Sequence, residues 1–285
     1  MSFTAGKLRA ASGSSIGGGW DGISSVAVKV GDEVREYNVT VSGETAVFSC
    51  GRPFFWMSLE TAVEAWWPVD AMDISRKPAV CVKADQSSEE ALNASDFIEA
   101  SGTVSFGTPK LEFAHRTAKV TVTLIPGEDI TKEDIAGAEL SLFTGAEGVE
   151  GGATSCKAFR TASGAFTALL PSQTIPEDAA FVTANVGGQK YVFRPSAPLS
   201  LEAGKEYRYR LSVKKVGLEP VAAPDITDWG KDETGHGGGA VQILDLSATT
   251  GNGTIEVRDR DVITGRATER VHIINMCIIR FKPNE

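Results

Sequence analysis

The sequence predicts an all-β protein built from antiparallel β-sandwiches, and three observations lead there. Apolar residues recur at every second position in several stretches, the period of a strand with one face in a core. Helical patterns are few and short. Glycine-rich punctuation separates the alternating stretches, at Gly17-Gly18-Gly19, Gly145 to Gly152, Gly187-Gly188 and Gly235 to Gly239. Short strands parted by turn residues are the signature of sandwiches.

In chain order, Val26, Val28 and Val30 share one face against Ala27 and Lys29. The chain crosses Gly31-Asp32-Glu33 and resumes with Tyr37, Val39 and Val41 against Asn38, Thr40 and Ser42, which predicts a hairpin with one wet face. Ser87 to Leu92 predicts a short helical turn. Val120, Val122 and Leu124 alternate with Lys119, Thr121 and Thr123. Thr131 stands three residues before Asp134, the spacing of a capping box, and predicts a second short helix. The strictest alternation is Tyr207, Tyr209, Leu211 and Val213 against Arg208, Arg210, Ser212 and Lys214, read as one face in a core and one in water. These elements fall into three segments: an N-terminal sandwich over residues 1–108, a second over 109–218, and an extension over 219–285. The extension carries a hairpin and a final apolar strand, Ile273 to Phe281.

With 285 residues the chain is long enough for two domains. Its net charge of −9 argues against a nucleic-acid partner, since phosphate binding needs clustered Lys and Arg. No apolar run approaches the roughly 20 residues of a membrane-spanning helix. Met1 to Arg9 lack the apolar core of a signal peptide, and Ser2 to Gly6 read like a strand beginning mid-protein, so the expectation is an exported chain whose signal has been removed. Cys50, Cys81, Cys156 and Cys277 form no C-x-x-C and permit three pairings, among which the sequence does not choose. Reduced, buried thiols are the favoured reading, and no zinc site is expected.

Several motifs suggest chemistry and are set aside. Gly13-Ser14-Ser15-Ile16-Gly17 matches a nucleophile elbow and His236-Gly237-Gly238-Gly239 an oxyanion loop. Neither has the strand-to-helix context that chemistry needs, so no enzyme is expected. Asp70, Asp73, Asp85, Glu89, Glu90 and Asp96 lack EF-hand spacing and read as a solvated acidic neighbourhood rather than a Ca²⁺ site. His115 and His272 read as structural histidines. Trp56, Trp66 and Trp67 read first as core, and otherwise as a platform for stacking sugars.

Several stretches together resemble the fimbrillin family of Bacteroidales surface proteins. Asp85-Gln86-Ser87, then Ser95-Asp96-Phe97-Ile98-Glu99-Ala100, lead into a strand in which Phe113, His115, Ala118 and Lys119 match the family's F-x-H-x-x-A-K. Pro171-Ser172-Gln173-Thr174-Ile175 resembles its P-Q-T-I segment, Gly204-Lys205-Glu206-Tyr207-Arg208-Tyr209 its G-K-x-Y-x-Y strand, and Ile226 to Trp229 its I-x-x-W element. No cofactor or metal is expected from the residues, and the resemblance implies two tandem transthyretin-like sandwiches. It also implies a lipoprotein precursor at the outer membrane, although no lipobox cysteine is present. Subunits of the family assemble into pili after a protease removes an N-terminal strand and a neighbour donates another. Arg9 is the expected clip site. The partners are then other pilus subunits by strand exchange, with a host or bacterial surface protein or glycan as a further ligand. The rival expectation is a surface carbohydrate-binding lipoprotein that never polymerises, with Trp56, Trp66 and Trp67 facing the sugar. In the less family-like tail from Ala240 to Glu285, Gly253 to Val257 and Val262 to Gly265 resemble short hairpins.

Overall fold

The computed structural model describes residues 1–5, 20, 22–42, 45–127, 130–214 and 217–229, together with the backbone of four three-residue strands beyond them. The chain falls into two units, Met1–Asp232 and Glu233–Glu285.

The first eight strands form one sheet. They are β1 (Phe3–Ala5), β2 (Ser25–Val30), β3 (Glu33–Ser42), β4 (Thr45–Ser49), β5 (Glu60–Trp67), β6 (Ile98–Ser105), β7 (Lys110–Leu111) and β8 (Ala114–His115). Their spatial order is β7-β1-β4-β3-β2-β5-β6-β8. The expected hairpin is present: β2 and β3 pair from Ser25↔Asn38 to Val30↔Glu33 across a two-residue turn in which Gly31 has φ +60°. That left-handed conformation suits glycine and matches the twist of the strands. The sheet curls so that β7, at one edge, lies against β6 near the other. Inside the curl Phe3, Trp20, Val26, Val28, Tyr37, Phe48 and Ile98 pack as the first core. Val41, expected on the core face, is exposed because β3 outruns the core there.

From Thr117 onward the strands are β9 (Thr117–Pro126), β10 (Glu139–Phe143), β11 (Ser155–Lys157), β12 (Phe159–Arg160), β13 (Phe166–Pro171), β14 (Gln173–Ile175), β15 (Val182–Val186), β16 (Gln189–Phe193), β17 (Leu199–Leu201), β18 (Lys205–Lys214), β19 (Gly217–Pro220) and β20 (Asp225–Asp228). A six-stranded sheet runs β12-β13-β9-β18-β19, with β20 also on β18; a four-stranded sheet runs β11-β10-β15-β16; and β14 pairs β17. Val120, Val122, Leu140, Leu142, Phe166, Val182, Tyr209 and Leu211 belong to the second core. Helix α2 is absent from both sheets; it spans Lys132–Ala136 and opens with the predicted capping box, Thr131 and Asp134 bonding reciprocally. Two pairings in this unit depart from the expected antiparallel sense: β1 with β7, and β9 with β18 along eight residues, are parallel. Both pairs join strands far apart in sequence, where no hairpin turn forces the antiparallel sense.

The segment between β5 and β6 ties the two cores together. Val82 is fully buried in the second core and bridges Val149, and the backbone around Asp85 then runs parallel to β11 at Lys157 like an added strand. The segment's bonds are Val82 N to Gly148 O at 2.9 Å, Lys157 N to Ala84 O at 2.8 Å and Gln86 N to Lys157 O at 2.9 Å. Helix α1 (Glu89–Asn93), within the expected helical turn and capped by Ser88, then lays Leu92 against Leu169 and Trp229. Between them the Gln86 amide clamps β13: Nε2 donates to Leu169 O and Oε1 accepts from Leu169 N, both at 2.8 Å. The outer face of the six-stranded sheet, expected to be wet along β18, is therefore covered at its Lys119–Glu206 end and open to water at Arg210 and Lys214.

In the second unit, Ile243–Asp245 pairs in parallel with Val262–Thr264, and Thr254–Glu256 with His272–Ile274. The two expected hairpin segments thus pair with other strands of the unit; of the expected final strand, Ile273 and Ile274 fall in the strand His272–Ile274 and the rest lies outside the described residues. Of the cysteines, Cys156 is buried, Cys50 half-buried and Cys81 exposed, all three as free thiols, while Cys277 lies outside the described residues.

Replacing Gln86 by Ala leaves the Leu169 N–H and C=O buried without partners, and urea unfolding should show a loss of about 2–4 kcal/mol. Burial pushes the Cys156 thiol up to about 12. In the native protein a maleimide should therefore label Cys81 within minutes and Cys156 only after denaturant is added, read by peptide mass.

Candidate functional site

The strand β1 occupies an inner slot at the edge of the first sheet. It pairs antiparallel with β4 (Phe3↔Phe48, Thr4↔Val47, Ala5↔Ala46) and parallel with β7 (Thr4↔Lys110, Ala5↔Leu111). Thr4 N donates to Pro109 O at 2.9 Å. Phe3 and Ala5 point into the core at 0% and 1% exposure, and Phe3 meets Tyr37 edge to face at 5.4 Å between centroids. Ahead of the strand the Met1 ammonium donates to Phe54 O, and the Tyr37 hydroxyl, held by Phe54 N at 3.0 Å, lies beside them. Three residues thus satisfy two strand edges and fill one apolar pocket. Remove them and Phe48, Tyr37 and Leu111 would face water beside unpaired backbone, an arrangement that templates a new strand. Arg9, four residues past β1, lies outside the described residues, as do Ser15 and His236.

A second constellation sits where the family-like motifs converge. His115 Nδ1 donates to Asp96 Oδ1 at 2.8 Å, both side chains 1% exposed, so the histidine is structural as expected. Its ring stacks on Trp229 at 3.4 Å and 12°. Trp229 N in turn donates to Gly204 O, and Gly204 N to Thr117 O at 3.0 Å. Gly204 has φ +72°, a turn conformation that favours glycine immediately before β18. On the same face, cross-strand register lines up Leu169, Lys119 and Glu206. Lys119 Nζ lies 3.3 Å from Glu206 Oε1 and 5.9 Å over the Trp229 ring, while Arg208 bonds Glu206 Oε2 at 2.9 Å and Thr121 donates to Oε1 at 3.1 Å. Burial pushes the Glu206 carboxyl up, and Lys119 and Arg208 outweigh it, holding the group below its ordinary range.

The tryptophans separate. Trp66 is 2% exposed and paired across from Ala27, so it offers no sugar platform. Trp67, followed by a cis peptide to Pro68, is half-buried against the first core. Trp56 is half-buried too, its ring edge-on to Phe106 at 5.5 Å. The acidic residues also disperse: Asp96 is buried on His115, Asp85 turns the chain by accepting from Ser87 N, and Asp73 accepts from Ser75. Among the described residues no three His, Cys, Asp or Glu gather as a metal site. Sequence reasoning missed Trp20, which lies between Phe48 and Phe113 in the first core. It stands amid glycines and serines, with no periodicity to flag it.

Two curled, strand-dominated cores, the first with β1 paired on both sides between β4 and β7, define a β-sandwich protein. Its sequence matches the fimbrillin-like description over residues 9–229, which ends at the Trp229 that stacks on His115. The chain belongs to the fimbrillin-like family. Its fold is similar to that of a candidate cell-adhesion protein of Bacteroides uniformis, with TM-score 0.55 and 17% identity over 80% of this chain and 97% of the other. It is also similar to one of Bacteroides ovatus, with TM-score 0.54 and 16% identity over 79% and 95%. No curated protein matches the sequence.

Because Glu206 titrates lower in the folded chain than in the unfolded one, its stabilisation is complete above the ordinary carboxylate range and is lost as pH falls through the folded value. Urea midpoints should thus fall as pH drops below about 4.3, and Glu206→Gln should flatten that part of the profile.

Proposed function

We propose that the chain is a non-enzymatic fimbrial subunit or tip adhesin at the bacterial surface, assembling by β-strand donation after N-terminal processing. The supporting observation is the seating of β1. A strand of three residues makes ladder bonds on both sides, inserts Phe3 and Ala5 into the core, and is followed within four residues by Arg9. Cleavage at Arg9 leaves β1 held by noncovalent contacts alone. Losing the buried Phe3 side chain costs about 3–5 kcal/mol, and a longer strand from a neighbour can recover that and more by extending the ladder along β4. The exchange is then favourable and, since both edges are refilled, leaves no sticky backbone in the finished polymer. Export as an outer-membrane lipoprotein precursor accompanies this reading through the family. The non-enzymatic part of this reading gives the His115–Asp96 pair a structural role, buried and stacked on Trp229.

Digestion with an arginine-specific protease, followed by intact mass and size-exclusion chromatography, tests the proposal. Loss of the first nine residues with growth of ordered oligomers is the expected result. A chain that resists cutting at Arg9, or stays monomeric once cut, refutes strand exchange.

A further inference from the structure

An apolar patch lies beside the N-terminal end of the β1 slot. Phe55 is 78% exposed, Met57 92%, Leu59 79% and Phe106 60%. They form one neighbourhood, since Phe106 N bonds Leu59 O at 2.9 Å and Phe106 meets the Trp56 ring between Phe55 and Met57. The slot touches it twice. Met1 bonds the carbonyl of Phe54, next to Phe55, and Thr4 bonds Pro109, three residues after Phe106.

Resting on the strand-donation reading, we infer that this patch seats the body of the donating subunit, a second copy of this chain, next to the strand it inserts. Direction supports this. A strand entering as β1 lies keeps the antiparallel ladder with the longer β4, the more stable of its two pairings, whereas the reverse sense keeps antiparallel bonds only with the two-residue β7. Residues preceding a strand so oriented emerge over Phe54 and Pro109, on the patch. Area gives a second argument. The four exposed side chains present on the order of 500 Å², near the largest patches that monomers carry and below the roughly 800 Å² per partner of a stable interface. Alone the patch is too small to hold a subunit; added to a strand buried in the slot it reaches that size.

The triple variant Phe55→Ser, Met57→Ser, Leu59→Ser changes only exposed residues and tests the inference in two arms. In the first arm, a chain beginning at Ala10 is titrated with a synthetic peptide of residues 1–9. The variant should recover thermal stability at the same peptide concentration as the parent, because the slot is unchanged. In the second, full-length protein is cut at Arg9 and followed by size exclusion. The variant should form at least tenfold less oligomer than the parent. Oligomerisation equal to the parent's overturns the inference and leaves strand donation standing, and if such a variant instead loses binding to lipid vesicles or immobilised glycans, the patch serves those surfaces. Failure in both arms means the slot was damaged and also overturns it. A parent that never oligomerises removes strand donation itself, and the patch's role with it.

Discussion

The structure depends on the run from Phe113 to Val120, which belongs to both cores at once. Phe113 packs on Trp20 and Phe48 in the first core, and Ala118 and Val120 are fully buried in the second. Between them, His115 is fixed from two sides, by the Asp96 carboxylate and by the face of Trp229. Each partner comes from a distant part of the chain. A buried imidazole held by a charge-assisted hydrogen bond and a stacked indole has one position available to it, so the strand that carries it cannot slide in register. With His115 placed, the ladders on either side follow: β8 on β6 behind it, β9 between β13 and β18 ahead.

Around this point the fold repeatedly uses one device, a segment lying on a sheet edge that another part of the chain left open. The backbone around Asp85 extends the four-stranded sheet beyond β11, β20 covers part of β18, and β1 fills the gap between β4 and β7. In the first two cases the covering segment is anchored in the middle of the chain. In the third it is only three residues long, with Phe3 and Ala5 buried beneath it. A β-sheet protein must protect its edges, and a protection that can be removed is also a means of assembly. Polar groups buried along the outer face, notably Lys119 with Glu206, contribute less to net stability than to fixing which strands lie side by side, because desolvation offsets much of their attraction.

Strict alternation and turn chemistry were legible in the sequence. The β2–β3 hairpin, β9, β18, the capping box of α2 and the start of α1 all follow from local rules, because each is decided by neighbours within a few residues. The recurring motifs were legible as a resemblance, but not their meeting place: nothing in the spacing of His115 and Trp229 says that their rings touch. The wet face expected along β18 from Arg208 to Lys214 is present, but Glu206 just before it is buried, because alternation does not report whether another segment lies over a strand. The tryptophans show the same limit. Trp56, Trp66 and Trp67 stand within twelve residues of one another, yet one is buried and two are partly open.

By itself the sequence determined the class of fold, the strands with the clearest period and the family, because these depend on short-range pattern and on residue identity. Tertiary structure alone decided that β1 sits inside the sheet edge rather than outside it. It also decided that β9 runs parallel to β18, and that Asp96, His115, Lys119, Glu206 and Trp229 share one buried face. Those outcomes come from contacts between residues tens to more than a hundred positions apart, and such contacts form only when the whole chain has closed around them.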